Sequence, residues 1–239
     1  GGAIYAQDGQ STVFLSDLSS FNENHASHYG GAVYLYNAKL VDHSSMYNMN
    51  TAGDYGGALY LISGSHSSFF NSSLVSNTAG ERGGGIYISG FSSSSFLNMS
   101  SVTLQSNKQI DGGTLFGYYG GGGLYLFLKV TANIRECTFI RNEATQGYTG
   151  NKHGHQIFTR KGSSSIPSIA IVNTKFTDVS ESHAFYGYDG SNGGADKYVS
   201  PTTCASNPSP CTVTPFTGSC SARSNTLYGV LCNCSAGAY

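Results

Sequence analysis

The chain has few of the residues that define several common protein classes. Its 239 residues include no tryptophan, three methionines and five prolines, and only 10% are charged, with a net charge of −1. Without a basic run or patch, nucleic acid is not an expected partner. No stretch approaches the roughly 20 apolar residues of a transmembrane helix, so we expect no membrane insertion of this segment. The abundant residues are glycine, serine, asparagine and tyrosine, which favours many tight turns and short strands over a helical cytosolic enzyme.

Two short motifs recur in a fixed order. The first, Gly-Gly-(Ala/Gly)-aliphatic-Tyr, starts at Gly1, Gly30, Gly56, Gly83 and Gly121, with a degraded copy, Gly-His-Gln-Ile-Phe, at Gly154. The second is an aromatic residue or leucine three positions before asparagine: Phe21…Asn24, Tyr47…Asn50, Leu74…Asn77, Leu104…Asn107 and Phe139…Asn142, then a decayed Phe176…Val179. The intervals between glycine motifs are 29, 26, 27, 38 and 33 residues. Repetition at this period is typical of a solenoid.

The residues after each glycine pair alternate, as a β-strand requires. Strands this short, recurring once per repeat without a helical pattern between them, predict one solenoid coil per repeat. Equivalent residues then stack about 4.8 Å apart. We expect two inward ladders, Ile4, Val33, Leu59, Ile86, Leu124 and Ile157, and Phe21, Tyr47, Leu74, Leu104, Phe139 and Phe176. The glycine pairs favour a corner with positive φ or close backbone approach, and the asparagines favour a turn with stacked amides.

The paired Gly-Gly-Ala-Ile and Phe-x-x-Asn tetrapeptides resemble the repeats of the polymorphic outer membrane protein family. This family comprises right-handed β-helix surface proteins and adhesins of chlamydiae, with relatives among large secreted proteins of protists and algae. The resemblance covers about residues 1–180 and implies an all-β, right-handed parallel β-helix of the pectin-lyase-like type. We therefore predict a β-helix over residues 1–198 and a separate small module over residues 199–239. The cysteine-rich character of that module is a departure from the family.

Five of the six cysteines lie in the last 36 residues, at Cys204, Cys211, Cys220, Cys232 and Cys234. Such density indicates disulfides and an oxidising compartment. The closing Cys-x-Cys-x-x-Gly-x-Tyr resembles an EGF-like module, and that resemblance implies the pairs Cys204–Cys220 and Cys211–Cys232. Cys234 then needs a partner, either beyond Tyr239 or at Cys137. We expect Cys137 itself to be a buried structural thiol, because its ladder position is occupied by Ser45, Ser72 and Val102 in other repeats.

Three N-glycosylation sequons begin at Asn71, Asn98 and Asn233. Together with the cysteines they favour an extracellular or cell-surface glycoprotein. We expect glycans at Asn71 and Asn98, and poorer access at Asn233, which lies between two cysteines.

Two sets of tyrosines are candidate partner-binding residues. The strand alternation places Tyr5 and the column Tyr34, Tyr60, Tyr87 and Tyr125 outward, as an aromatic stripe suited to sugars or a protein surface. The interval from the motif asparagine to the next glycine is 6 residues in the first three repeats and then 14 and 12. We expect the inserted segments, 108–120 and 143–153, to form adjacent partner-binding loops that carry Tyr118, Tyr119, Tyr148 and His153. The alternatives are that the stripe only covers the sheet and that the loops are decoration.

Catalytic chemistry has one candidate location, two residues before each glycine pair: His28, Asp54, Glu81, Tyr119 and Lys152. Asp54 and Glu81 on neighbouring coils would approach the roughly 5 Å carboxyl separation of retaining glycosidases; a weak cation site or mixed exposed corner residues are the alternatives. His153-x-His155 lacks a third metal ligand, and Gly120–Gly123 lacks the lysine and helix of a phosphate loop. We expect no cofactor, no metal and no enzymatic activity.

These observations predict an extracellular structural or adhesive glycoprotein module, a subunit of a surface filament or appendage. The partners would be other copies of the chain, other extracellular glycoproteins or glycans. Because the sequence begins on an intact repeat and open terminal coils invite stacking, we expect a polymer neighbour or a longer parent chain. The alternatives are a carbohydrate-active enzyme of pectin-lyase-like fold and a surface adhesin that does not polymerise.

Overall fold

The computed structural model of the protein describes residues 1–16, 18–110, 120–145, 156–160, 165 and 167–177, together with the backbone of four later strands. These residues form strands and turns in three sheets of 14, 6 and 5 strands. Apart from three late antiparallel pairings, every described strand pairs in parallel with its counterpart one repeat away. The chain is therefore a parallel β-solenoid, as the repeats predict.

Each complete coil contributes four strand segments. The first row contains β1 (Ile4–Gln7), β5 (Val33–Tyr36), β9 (Leu59–Ile62), β13 (Ile86–Ser100), β16 (Leu124–Arg135), β19 (Ile157–Arg160) and β22 (Phe185–Tyr188). The second row contains β2 (Thr12–Leu15), β6 (Lys39–His43), β10 (His66–Phe70), the second halves of β13 and β16, and β20 (Ser168–Val172). Because β13 and β16 continue through the corner, these two rows form the single 14-stranded sheet.

The other two rows are short. The third contains β3 (Ser20–Asn22), β7 (Met46–Asn48), β11 (Ser73–Val75), β14 (Thr103–Gln105), β17 (Thr138–Ile140) and β21 (Lys175–Thr177). The fourth contains β4 (His25–Ala26), β8 (Thr51–Ala52), β12 (Thr78–Ala79), β15 (Lys108–Gln109) and β18 (Glu143–Ala144). The late antiparallel pairings involve β23 (Lys197–Val199) on β22, and β24 (Thr212–Thr214) with β20 and β25 (Leu231–Asn233).

The core lies inside the coils and consists of in-register ladders. Val33, Leu59, Ile86, Leu124 and Ile157 stack in one column, and all are completely buried. The aromatic and leucine column of the third row stacks in the same way, with Phe21 on Tyr47 and Phe139 on Phe176 at ring centroid distances of 5.0 and 5.1 Å. Both predicted inward ladders are confirmed.

The asparagine column forms a continuous hydrogen-bonded ladder. Asn77 shows the pattern: its Nδ2 donates to the Tyr47 carbonyl and to Asn107 Oδ1, each at 2.8–2.9 Å. Its own Oδ1 accepts from both the backbone N–H and Nδ2 of Asn50. Each buried amide is thus satisfied by the coils on either side, as buried polar groups require.

Four corners turn the chain in each coil, and each described corner contains a residue with positive φ except the one that β13 runs through. Gly30, Gly56, Gly83 and Gly121 occupy one corner with φ between 62° and 68°. The second glycine of each pair is required by close approach, because a Cβ at Gly57 would lie 2.1 Å from the Gly84 carbonyl oxygen. The other three corners use non-glycine residues, for example Ser63, Asn71 and Met49.

The structure changes the boundaries of the inserted segments. Lys108–Gln109 and Glu143–Ala144 are strands of the fourth row, in register with Thr78–Ala79. The insertions therefore begin after these residues, because the ladder continues past the motif asparagine. Another irregularity lies between Gly90 and Ser95, where β13 shifts register relative to β16 and leaves Phe91 73% exposed.

Candidate functional site on the outer faces of the solenoid

Tyrosines on the outer face of the first row form a continuous stack. Neighbouring ring centroids are 4.9, 5.0, 5.1, 5.3 and 4.7 Å apart along Tyr5, Tyr34, Tyr60, Tyr87, Tyr125 and Phe158. The spacing follows from the in-register pairing of the strands beneath. Aromatic pairs of this kind each contribute about 0.5–1.5 kcal/mol beyond their buried area.

A second layer covers much of this stack. Tyr29, Tyr55 and Arg82 directly precede the glycine pairs and are joined by parallel backbone bridges. The Tyr29 ring stacks on Tyr60 at 4.7 Å, and the Tyr55 ring stacks on Tyr87 at 5.1 Å. The Arg82 guanidinium lies 4.8 Å from the centroid of the Tyr55 ring, in a cation–π contact.

The covering layer corrects the expectation of an exposed stripe. Tyr60, Tyr87 and Tyr125 are 8%, 4% and 0% exposed, because the residues before the glycines fold over them. Surface for direct partner contact remains at Tyr5, which is 60% exposed, and at Tyr29 and Tyr34.

The hydroxyls in this cluster are uncharged at physiological pH. Burial raises the pKa of Tyr55 to about 12, with the Arg82 guanidinium opposing this change and the Glu81 carboxylate adding to it. Burial also raises the pKa of Tyr60 and Tyr87. The raised pKa values belong to the covered part of the cluster, whereas the ring faces of Tyr5 and Tyr29 remain open to solvent.

The corner acids that could have formed a catalytic pair have other partners. Asp54 Oδ2 lies 2.9 Å from His28 Nδ1 on the preceding coil. The Glu81 carboxylate acts on the Tyr55 hydroxyl and contributes to its raised pKa. The backbone N–H of Glu81 also donates to the Asp54 carbonyl at 2.7 Å, which confirms that the two acids occupy successive coils. Both carboxylates therefore interact with residues of the preceding coil at the same corner.

The outer face of the second row carries the Asn98 sequon. Asn98 is exposed on β13 between Ser68 of β10 and Asn133 of β16. Its Oδ1 accepts from Asn133 Nδ2 at 2.9 Å, and its Nδ2 lies 3.5 Å from Ser68 Oγ.

Aromatic and histidine side chains surround this position. Phe96 and His66 contact edge to face at 4.6 Å, and His43 stacks on Phe70 at 4.9 Å. Asn71, the first sequon, is exposed at the following corner with φ of 53°.

Two buried residues also carry titratable groups. Cys137 is a free thiol that is 1% exposed; its Sγ donates to the Arg135 carbonyl at 3.2 Å, and burial raises its pKa to about 11. The expected buried structural thiol is confirmed. Asp42 was not found from the sequence: it is completely buried and accepts a hydrogen bond from the Tyr47 hydroxyl at 2.9 Å.

Several predicted site residues lie outside the described residues. These are Tyr118, Tyr119, Tyr148, Lys152, His153 and His155, the cysteines Cys204, Cys211, Cys220 and Cys234, and the side chains of Cys232 and Asn233 in β25. The loop contacts, the EGF-like pairing and the third sequon therefore stay predictions.

Within the described ranges, no cluster of three or more His, Cys, Asp or Glu side chains is arranged to hold a metal ion. The same residues contain no helix long and apolar enough to cross a membrane. Comparisons with protein-family models, with curated proteins and with solved structures found no match to this chain. The likeness to the polymorphic outer membrane protein repeats consequently depends on the two repeated motifs alone.

Proposed function

We propose that this chain is a structural or adhesive module of an extracellular glycoprotein, and that it serves as a subunit of a surface filament or appendage. Its solenoid would be right-handed, with an EGF-like disulfide-rich end, as in the proteins its motifs resemble. The observation that carries the proposal is the in-register stacking of whole coils, which includes the coil containing β1–β4.

In that coil the inward side chains are covered on one side only. Ile4, Ala6, Val13, Leu15 and Phe21 pack on the core of the next coil yet are only partly buried. The strands that carry them are paired on one edge. In a β-solenoid, an open coil edge combines apolar surface with unpaired backbone groups, and both favour the addition of a coil in the same register. That coil can come from another subunit or from more of the same polypeptide.

The outer faces provide the adhesive surface in this proposal. Tyr5 and Tyr29 offer exposed rings, and Tyr34 a half-buried one, next to the His28–Asp54 pair, a combination of apolar faces and hydrogen-bonding groups suited to glycans. Tyr60, Tyr87 and Tyr125 hold this platform from beneath. Tyr118, Tyr119 and Tyr148 would extend the contact from the neighbouring insertions. The exposed sequons at Asn71 and Asn98 fit a glycosylated surface.

The test is electron microscopy of the full chain, secreted from eukaryotic cells and kept in non-reducing buffer. We expect filaments with an axial subunit repeat of about 30 Å for six coils at roughly 4.8 Å each, and sedimentation that shifts to heavier species with rising concentration. Monodisperse particles that still bind a glycan array would favour the non-polymerising adhesin. Monodisperse particles without glycan binding would reject both forms of the proposal.

A further inference from the structure

The outer face of the second row places exposed aromatic rings around a sequon. Phe96, two residues before Asn98 on the same strand and the same face, is 38% exposed, as is Phe70 on the neighbouring strand. On a soluble surface such rings are open to water unless something covers them. Asn98-Met99-Ser100 supplies a covalent occupant next to them.

Hydrogen bonds fix the direction in which a glycan would leave Asn98. Its Oδ1 is held by Asn133 Nδ2 on the following coil, so Nδ2, the atom that carries an N-glycan, points toward Ser68 on the preceding coil. His66 and Phe70 lie two residues to either side of Ser68 on the same face of β10. A sugar attached to Nδ2 therefore starts among His66, Phe70 and Phe96.

The distances suit one sugar ring. Phe96 and Asn98 are about 6.7 Å apart along the strand, and adjacent strands are about 4.8 Å apart. A hexosamine presents a face of C–H groups that packs on an aromatic ring, while its hydroxyls remain in water. Phe96 is itself held in place by the edge-to-face contact with His66.

The column has room for one glycan, because two glycans on neighbouring coils would be only about 4.8 Å apart at their roots. Asn133 is followed by Ile134-Arg135 and is not a sequon, and the corresponding position on the preceding coil is Ser68. The sequence thus allows attachment at one level of this column.

We propose that Asn98 carries an N-glycan whose first N-acetylglucosamine packs against Phe96, with His66 and Phe70 at its edges, and covers this face of the solenoid. The inference rests on the proposed extracellular, glycosylated state. It adds a specific modification site with a built-in sugar contact.

The experiment compares four secreted full-length proteins: the parent, Phe96→Thr, Ser100→Ala and the double variant. Threonine is chosen because Thr131 occupies the same column on the next coil. Glycans are trimmed to the first N-acetylglucosamine, occupancy is measured by glycopeptide mass spectrometry, and thermal unfolding is followed by circular dichroism. We expect the sugar to raise the unfolding midpoint by about 2 °C or more with Phe96 present and to have no effect in the Phe96→Thr background.

The Asn71 glycan is the internal control. Its neighbour Phe69, two residues before it, points into the core, so no ring occupies the position equivalent to Phe96. Native peptide-N-glycosidase should release intact Asn98 glycans faster from Phe96→Thr than from the parent, and Asn71 glycans at the same rate from both. Asn71 occupied with Asn98 bare would overturn the inference but leave the glycoprotein proposal standing. Both sites bare would reject the glycosylated state. A third outcome is that Asn98 carries a glycan whose effect on the unfolding midpoint does not depend on Phe96 and whose release is no faster from Phe96→Thr than from the parent. That outcome would reject the sugar contact and leave glycosylation at Asn98 standing.

Discussion

Asp42 is a carboxylate in a column of otherwise apolar inward residues. On the neighbouring strands the equivalent positions are Leu15, Phe69, Met99, Ile134 and Ile171. Burial raises the pKa of Asp42, while the hydrogen bond from the Tyr47 hydroxyl partly opposes that change. The carboxyl thus binds its proton more tightly in the folded chain than in the unfolded chain.

Linkage between protonation and folding gives a pH prediction with a definite sign. The stability contributed by protonated Asp42 should be complete below the ordinary value of 3.8 and should be lost as pH rises through the higher folded-state pKa. Asp42→Asn should remove this loss and stabilise the neutral-pH protein, with each pKa unit of difference equivalent to about 1.4 kcal/mol. The measurement is the free energy of unfolding of both proteins in urea, at a series of pH values between 3.5 and 8.

Tyr47→Phe provides the paired variant. It removes the hydroxyl that donates to Asp42 and favours its charged form, so the pH-dependent loss should become larger and extend to higher pH. If Asp42→Asn and the parent show the same pH profile, Asp42 is not the titrating group.

At the scale of elements, corners matter as much as strands. Each corner repeats a positive φ in most coils, and three of the four corners do so mainly with residues other than glycine. The left-handed conformation costs an L-residue about 1–2 kcal/mol. The ladders on either side, which bury every strand against its neighbours, offset this cost.

Two exposed methionines test this interpretation. Met49 occupies a corner with φ of 53°, whereas Met46 lies in β7 and is about equally exposed, at 44% against 47%. Met49→Gly should stabilise the protein by up to about 1 kcal/mol, because relief of the corner strain exceeds the added flexibility of the unfolded chain. Met46→Gly should destabilise it by about 0.5–1 kcal/mol. Equal effects of the two substitutions in denaturant unfolding would contradict the account.

At the scale of the whole molecule, the ladders run along the solenoid axis without a change of register in the third and fourth rows. The same geometry that adds each coil to the last can add the coil of another subunit. Assembly in the proposed filament is therefore a continuation of folding, and it should respond to inward residues of the β1–β4 coil.

Two neighbouring residues of β2, Phe14 and Leu15, distinguish a contact through the inward face of the coil from one through its outer face. Leu15 points inward and is partly buried, whereas Phe14 points outward and is 72% exposed. Leu15→Glu would bury an unpaired carboxylate under an added coil, so we expect the concentration for filament formation to rise about 100-fold or more. Phe14→Glu should assemble like the parent. Sedimentation of both variants gives the comparison, and normal assembly of Leu15→Glu would place the subunit contact elsewhere.

The repeated motifs are sufficient to predict the solenoid and its principal columns. An in-register stack requires like residues at equivalent positions, so the Val33–Leu59–Ile86 ladder and the Asn50–Asn77–Asn107 ladder appear directly as repeated letters. The glycine corner was predictable for the same reason. Tyr29 and Tyr55, directly before two of the glycine pairs, also form a repeat in the sequence. The catalytic hypothesis concerned the residues one position earlier, His28 and Asp54.

Only the tertiary structure decided which of these residues reach solvent. Strand alternation tells which side of a sheet a residue occupies, and it placed Tyr60, Tyr87 and Tyr125 on the outer side, where they form a second buried cluster separate from the main core. Whether that side is open depends on what folds over it, here Tyr29, Tyr55 and Arg82. The grouping of Asn98 with Phe96, His66 and Phe70 is likewise a property of two stacked coils. A sequence repeat predicts contacts between equivalent positions of successive coils. Burial of an outer face depends instead on contacts between non-equivalent positions, such as Tyr29 on Tyr60, and the repeat does not predict these.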